Sequence, residues 1–245
     1  DGNTYLEAVD DSTGYYFRLV DTATGSSRII KSPVYGYNFD SAVLSSKGTY
    51  FAGVYYDQVD KIYKLSISST DGQDGSGYAV PDTFSLSAIS DTGVAVGHTY
   101  QGQGMVFDHG YLKILADYSR GSQPLAISTA ENISRDGTTV VGSFARDVTQ
   151  NVHAAVWNLA SQKFLEVDPG LFNHSVATLV SANGDVVAGQ GATISNPQIA
   201  FRWTEAGGLI EIPGLNTDSN TVLKSMSADG SVLVTDNTRE FERLT

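Results

Sequence analysis

Along the whole chain, short runs of β-branched and aromatic residues alternate with clusters of Gly, Ser, Asp and Asn, and no useful stretch carries the 3.6-residue apolar period of a helix. One pattern orders these runs. An apolar residue followed by Ser-x-x-Gly precedes a β-rich run at Leu44-Ser45-Ser46-Lys47-Gly48, Ile89-Ser90-Asp91-Thr92-Gly93, Ile133-Ser134-Arg135-Asp136-Gly137, Val180-Ser181-Ala182-Asn183-Gly184 and Met226-Ser227-Ala228-Asp229-Gly230. The chain opens inside a sixth copy, where Asp1-Gly2-Asn3-Thr4-Tyr5 aligns with Lys47-Gly48-Thr49-Tyr50-Phe51. The signature glycines are therefore Gly2, Gly48, Gly93, Gly137, Gly184 and Gly230, spaced by 46, 45, 44, 47 and 46 residues. So regular a spacing marks a structural repeat.

The signature predicts a hairpin in which Ser bonds the backbone of the turn and Gly supplies the positive φ that closes it. We name the strand before the turn a and the strand after it b. Next comes a strand c ending in a bulky residue: Tyr16-Phe17-Arg18-Leu19, Ile62-Tyr63-Lys64-Leu65, Met105-Val106-Phe107, Ala155-Val156-Trp157 and Phe201-Arg202-Trp203. A strand d follows a short turn, as in Tyr111–Leu115, Lys163–Val167 and Leu209–Ile212. Four short strands in about 45 residues is the blade period of propeller folds. The expected fold is all-β, a β-propeller-like repeat of four-stranded units forming one domain over residues 1–245. Counting gives five a, six b, six c and five d strands, the last c at Phe241-Glu242-Arg243-Leu244. Six blades fit best; five blades, or a fragment of a longer array, are the alternatives.

The segment Ile199–Leu215 (IAFRWTEAGGLIEIPGL), preceded by Val180–Gly189, resembles the HAF family of bacterial extracellular repeats, and His153-Ala154-Ala155-Val156-Trp157 downstream of Asp136–Gly142 is a second match. The period covers the whole chain and the close motif two units. The resemblance implies a secreted or surface-displayed domain of a Gram-negative bacterium, such as an autotransporter passenger with a translocator barrel in the same polypeptide. Membership of such a family implies location more than activity.

Composition narrows the partners. A net charge of −12, with 15 basic residues scattered along the chain, offers no phosphate-binding patch, so nucleic acid and anionic membrane surfaces are not expected. No run of about 18 apolar residues exists to span a bilayer. The chain lacks cysteine, which removes disulfides and thiolate chemistry and suits passage through an oxidising space. It begins without Met and without a signal-like segment, and so reads as a mature or excised piece.

Catalytic residues are not assigned. A triad needs Ser, His and a carboxylate converging, but most serines sit in turns, no Gly-x-Ser-x-Gly elbow occurs, and His153 reads as part of the repeat motif. Carboxylates such as Asp108, Asp136 and Glu205 lie in turns, where solvated acids are expected. Asp71-Gly72-Gln73-Asp74-Gly75-Ser76-Gly77 lacks the ligand spacing of a calcium loop, leaving weak surface calcium binding as the one cofactor hypothesis. The b–c connections vary most. Their Tyr55, Tyr56, Tyr100 and Phe144 are the candidate binding residues, on one composite face suited to a protein or glycan of a host or neighbouring cell. The expected function is non-enzymatic recognition or adhesion. A secreted polysaccharide hydrolase or lyase with a site in the channel is the alternative, and a structural spacer a third reading.

Overall fold

The computed structural model describes residues 4–11, 14–30, 39–71, 76–147, 151–195, 198–212 and 220–238, and it is all-β: among these residues no α-helix occurs. The first module holds β1 (Thr4–Asp11), β2 (Gly14–Asp21) and β3 (Ser27–Ile30). The second holds β4 (Phe39–Leu44), β5 (Tyr50–Asp57), β6 (Ile62–Ser69) and β7 (Ser76–Val80). The third holds β8 (Phe84–Ile89), β9 (Ala95–Thr99), β10 (Gly104–Asp108) and β11 (Tyr111–Ile114). A small hairpin of β12 (Ala116–Asp117) and β13 (Gln123–Pro124) intervenes. Then come β14 (Ile127–Ile133), β15 (Thr139–Ala145), β16 (His153–Asn158) and β17 (Lys163–Glu166). The fifth module holds β18 (His174–Val180), β19 (Val186–Ala192), β20 (Ile199–Thr204) and β21 (Gly208–Glu211). Last are β22 (Asn220–Met226) and β23 (Leu233–Thr238).

Four modules are complete antiparallel sheets in the order a-b-c-d, the first shows b-c-d and the last a-b. The strand types thus fall where the repeat places them. Gly2 and the expected sixth c strand at 241–244 lie outside the described residues. The contacts cluster into two compact units, residues 1–114 with 135–137, and residues 115–134 with 138–245.

All five signature turns are built alike. The Ser amide donates to the carbonyl of the first residue of the following run, at 2.8–2.9 Å for Tyr50, Val94, Thr139, Val186 and Val232. The Ser Oγ accepts an amide from that same residue at 2.9–3.0 Å, so each hydroxyl, buried in all but Ser227, satisfies an amide that the hairpin leaves over. The signature glycines sit at φ of 70–84°, the left-handed region closed to most side chains.

Burial falls across each sheet from b to d. β15 is buried at every residue and β19 at all but one, whereas β11 is exposed along its whole length. In the second unit the b and c strands also meet the a strand of the next module, and in the first unit the b strands do, so both faces of the b strands are covered and their runs are continuously apolar or small rather than alternating. The bulky ends of the c strands anchor the cores. Leu65, Phe107 and Trp157 are fully buried and Trp203 nearly so. Phe107 meets Phe84 and Tyr78 edge-on at 5.3 and 5.5 Å in the first unit, and Phe201 stacks on Phe172 at 5.9 Å in the second.

Two features escape the hydrophobic pattern. Every a strand carries a register shift, four of them three residues before the signature Ser, at Leu86/Ala88, Ala130/Asn132, Ala177/Leu179 and Leu223/Ser225. Opposite three of these bulges the b strand has Gly97, Gly142 and Gly189, where a Cβ would overlap the carbonyl oxygens of Ser85, Thr129 and Val176. The signature glycines have a second duty as well. A Cβ on Gly48, Gly93, Gly184 or Gly230 would strike the first residue of the preceding module's b run (Thr4, Tyr50, Thr139 and Val186), so the glycine lets one module's turn rest on its neighbour.

Candidate functional site

In an a-b-c-d meander the a–b and c–d turns share one end of the sheet and the b–c connections occupy the other. At the b–c end the four expected binding residues part company. Tyr55 and Phe144 are not loop residues. They lie inside β5, as Tyr56 does, and β15, and are 2% and 3% exposed. Tyr55 packs with Phe17 and Phe51, and burial pushes its phenol above the usual tyrosine range. Phe144 meets Phe164 edge-on at 5.0 Å beneath the Arg146 guanidinium. Side chains so covered cannot stack on a ligand, which takes both off the binding face. Tyr56 is half-buried against Tyr63, 5.2 Å away. Tyr100 alone stands out, 91% exposed at the tip of its turn.

The structure adds residues that the aromatic reading missed. Val59, at 79% exposure in the first unit, and Ile194, at 95% in the second, project from b–c connections. Leu171, at 57%, projects from a d–a connection at the same end of its module. The available signal is an isolated aliphatic residue among turn formers, as in Gln58-Val59-Asp60 and Thr193-Ile194-Ser195. The first unit's tips are held firmly. Asp57 Oδ1 accepts the Val59 and Asp60 amides at 2.9 and 3.1 Å, and Lys64 Nζ donates to Asp57 at 2.8 Å and also to Asp60. Thr99 Oγ1 accepts the Gln103 amide at 3.2 Å, and the Tyr100 amide donates to the Thr83 carbonyl at 3.1 Å.

The same end of the second unit contains two polar networks. His153 Nδ1 and Ser175 Oγ both donate to Asp168 Oδ2, at 3.1 and 3.0 Å, while Asp168 Oδ1 accepts the amides of Gly170 and Leu171 at 3.1 and 2.7 Å. Burial alone would raise the Asp168 carboxyl, but the bonds from His153, the Leu171 amide, Ser175 and the Gly170 amide outweigh it and hold it below the usual range. These are the three residue types of a hydrolytic triad in the wrong order. The hydroxyl bonds the carboxylate instead of the imidazole, and Ser175 is buried, so no activated nucleophile results. In the other network Arg146 joins Asp117, at 3.0 Å, to Glu166. Both networks tie a d–a connection to the module. Among the described residues no three His, Asp or Glu side chains converge as a metal set, and residues 72–75 of the acidic segment lie outside them.

At the opposite end of the second unit, a cleft of about 730 Å³ opens between its two complete sheets. Its buried side is Thr139, Val156, Val186 and Trp203, and its exposed side carries Lys163, paired with Glu205, and Asp185, which accepts the Asn183 amide at 2.6 Å.

No protein-family model and no curated protein matches the chain in sequence. Solved structures do match in shape. The acylaminoacyl peptidase of Pyrococcus horikoshii superposes with a TM-score of 0.65 at 11% identity, over 97% of this chain and 40% of that one. TolB of Acinetobacter baumannii gives 0.52 at 14% identity, over 88% and 53%. An oligogalacturonate lyase in complex with manganese gives 0.58 at 10% identity, over 89% and 64%. The chain thus spans about half or less of the first two and under two thirds of the third. TolB and the peptidase contain β-propellers, and at these identities the likeness concerns fold: this chain has a β-propeller-like fold of four-stranded antiparallel modules.

Proposed function

We propose that this chain is a non-catalytic recognition module that holds a partner surface through its b–c tips. The supporting observation is the placement of Val59 and Tyr100 almost fully in solvent, on turns pinned by side-chain and backbone hydrogen bonds. Apolar side chains on rigid tips gain by burial against a partner and lose little conformational entropy in doing so. Val59 offers no hydrogen bond to a sugar hydroxyl, and paired with the amphipathic Tyr100 ring it suits a protein surface as the partner. The resemblance to extracellular HAF repeats and the lack of cysteine support secretion or display on a Gram-negative cell. The rival reading, a polysaccharide hydrolase or lyase, has only a likeness of fold in its favour.

The test is attachment of the labelled chain to cultured host cells and to a glycan array. The double variant Val59→Ser with Tyr100→Ala should lose about tenfold or more in cell attachment, as expected for anchors costing over 1 kcal/mol each. Unchanged attachment, or turnover of chromogenic glycosides by the unmodified chain, defeats the reading.

A further inference from the structure

The cleft of the second unit lies at the other end of the modules from the tips, and its origin can be traced to one position. At Gly48, Gly93, Gly184 and Gly230 the first residue of the preceding module's b run faces the signature glycine. In the first unit that residue is Tyr50, whose ring would meet a Cβ on Gly93 at 2.7 Å and so fills the joint between modules two and three. In the second unit the equivalent residue is Thr139, set against Gly184, and the joint stays open.

We propose that this cleft binds a short neutral carbohydrate. A space of about 730 Å³ is within the range of small-molecule sites. Val156, Val186 and the edge of Trp203 give an apolar wall for the C–H face of a sugar ring. Across from them stand planar carboxylate and amide groups, Asp185 and Asn183, of the kind that bond vicinal hydroxyls. The charges point to a neutral ligand. Lys163 is matched by Glu205, which leaves no unmatched cation in the cleft for an anionic sugar, and both carboxylates already take a donor of the protein. The net charge of −12 adds to the disfavour of anions.

Saturation-transfer NMR and calorimetry on the whole chain test this with cellobiose, maltose and diacetylchitobiose, and with digalacturonate as the anionic comparison. At least one neutral disaccharide should bind saturably and more tightly than digalacturonate. Thr139→Tyr, which copies the filled joint of the first unit, should weaken binding about tenfold or more. Asp185→Ala, an exposed substitution that leaves the core untouched, should weaken it as well. Tyr100→Ala should leave it unchanged, so loss of sugar binding and loss of cell attachment are separate results. The proposal fails if no neutral sugar binds, if digalacturonate binds more tightly, or if affinity survives Asp185→Ala together with a folded Thr139→Tyr. Should Thr139→Tyr not fold, Asp185→Ala alone decides.

Discussion

The two units use one repeat with different fillings. In the first, the joint between neighbouring modules is closed by an aromatic ring, Tyr50 on Gly93, and the Asp91 carboxylate takes the Lys47 amide at 2.7 Å across the same joint. In the second, the corresponding joint is left open beside Thr139, and the next one is latched by the Ala182 amide, which donates to the Ala228 carbonyl at 2.7 Å. The second unit concentrates its order at the opposite end, where the buried Asp168 organises a histidine, a serine and three amides. Turn geometry is thus the constant of the repeat, while the side chain that follows it decides whether a joint is sealed or left as a cleft.

The sharpest way to break this comparison is to remove the second unit's organiser. Asp168→Ala leaves three amides, a hydroxyl and an imidazole without their acceptor and should cost about 3 kcal/mol or more in denaturant unfolding. The same carboxylate sets a pH dependence. Its folded pKa lies below the unfolded value, so its contribution is complete above the ordinary aspartate pKa and fades as the pH falls through the depressed one. Acid unfolding of the native chain should be steeper than that of Asp168→Asn.

A smaller effect is expected from opening the first unit's joint. Tyr50→Thr copies the residue at 139 and should cost about 2 kcal/mol, because a half-buried ring is lost and the joint can relax only in part. A loss below about 0.5 kcal/mol would show that the ring is not what seals it. The smallest expected difference concerns the paired glycines. Gly93→Ala and Gly184→Ala both place a side chain at positive φ, at about 1 kcal/mol each. Gly184→Ala should cost more in thermal denaturation, because its Cβ meets the Cβ of the buried Thr139 at 2.7 Å, an atom that no rotation moves aside, whereas the Tyr50 ring against Gly93 is half-buried and can shift.

Much of this architecture was legible in the sequence. The Ser-x-x-Gly signature located all five described turns, and of the bulky c-strand ends that the sequence pointed out, Leu65, Phe107, Trp157 and Trp203 lie buried in the core. The candidate face was read less well, for a physical reason. A b strand buried on both faces shows no alternation, so nothing in Gly53-Val54-Tyr55-Tyr56 or Ser143-Phe144-Ala145 marks where strand ends and loop begins. Asp168 was invisible because its partners His153 and Ser175 come from two other strands, whereas Val59 and Ile194 could have been singled out as lone aliphatic residues in polar turns.

Tying signature turns together at one end of each module has a consequence for change. Lengthening an a–b turn would tear out an amide, a hydroxyl bond and a seat on the next module together, so that end should tolerate almost no insertion. The b–c connections at Val59 and Tyr100 are bonded within their own modules, and extra residues there cost loop-closure entropy, which grows slowly with length. New peptide sequences grafted beside Val59 or Tyr100 should therefore be accommodated, making that end the natural place for the scaffold to acquire new specificities.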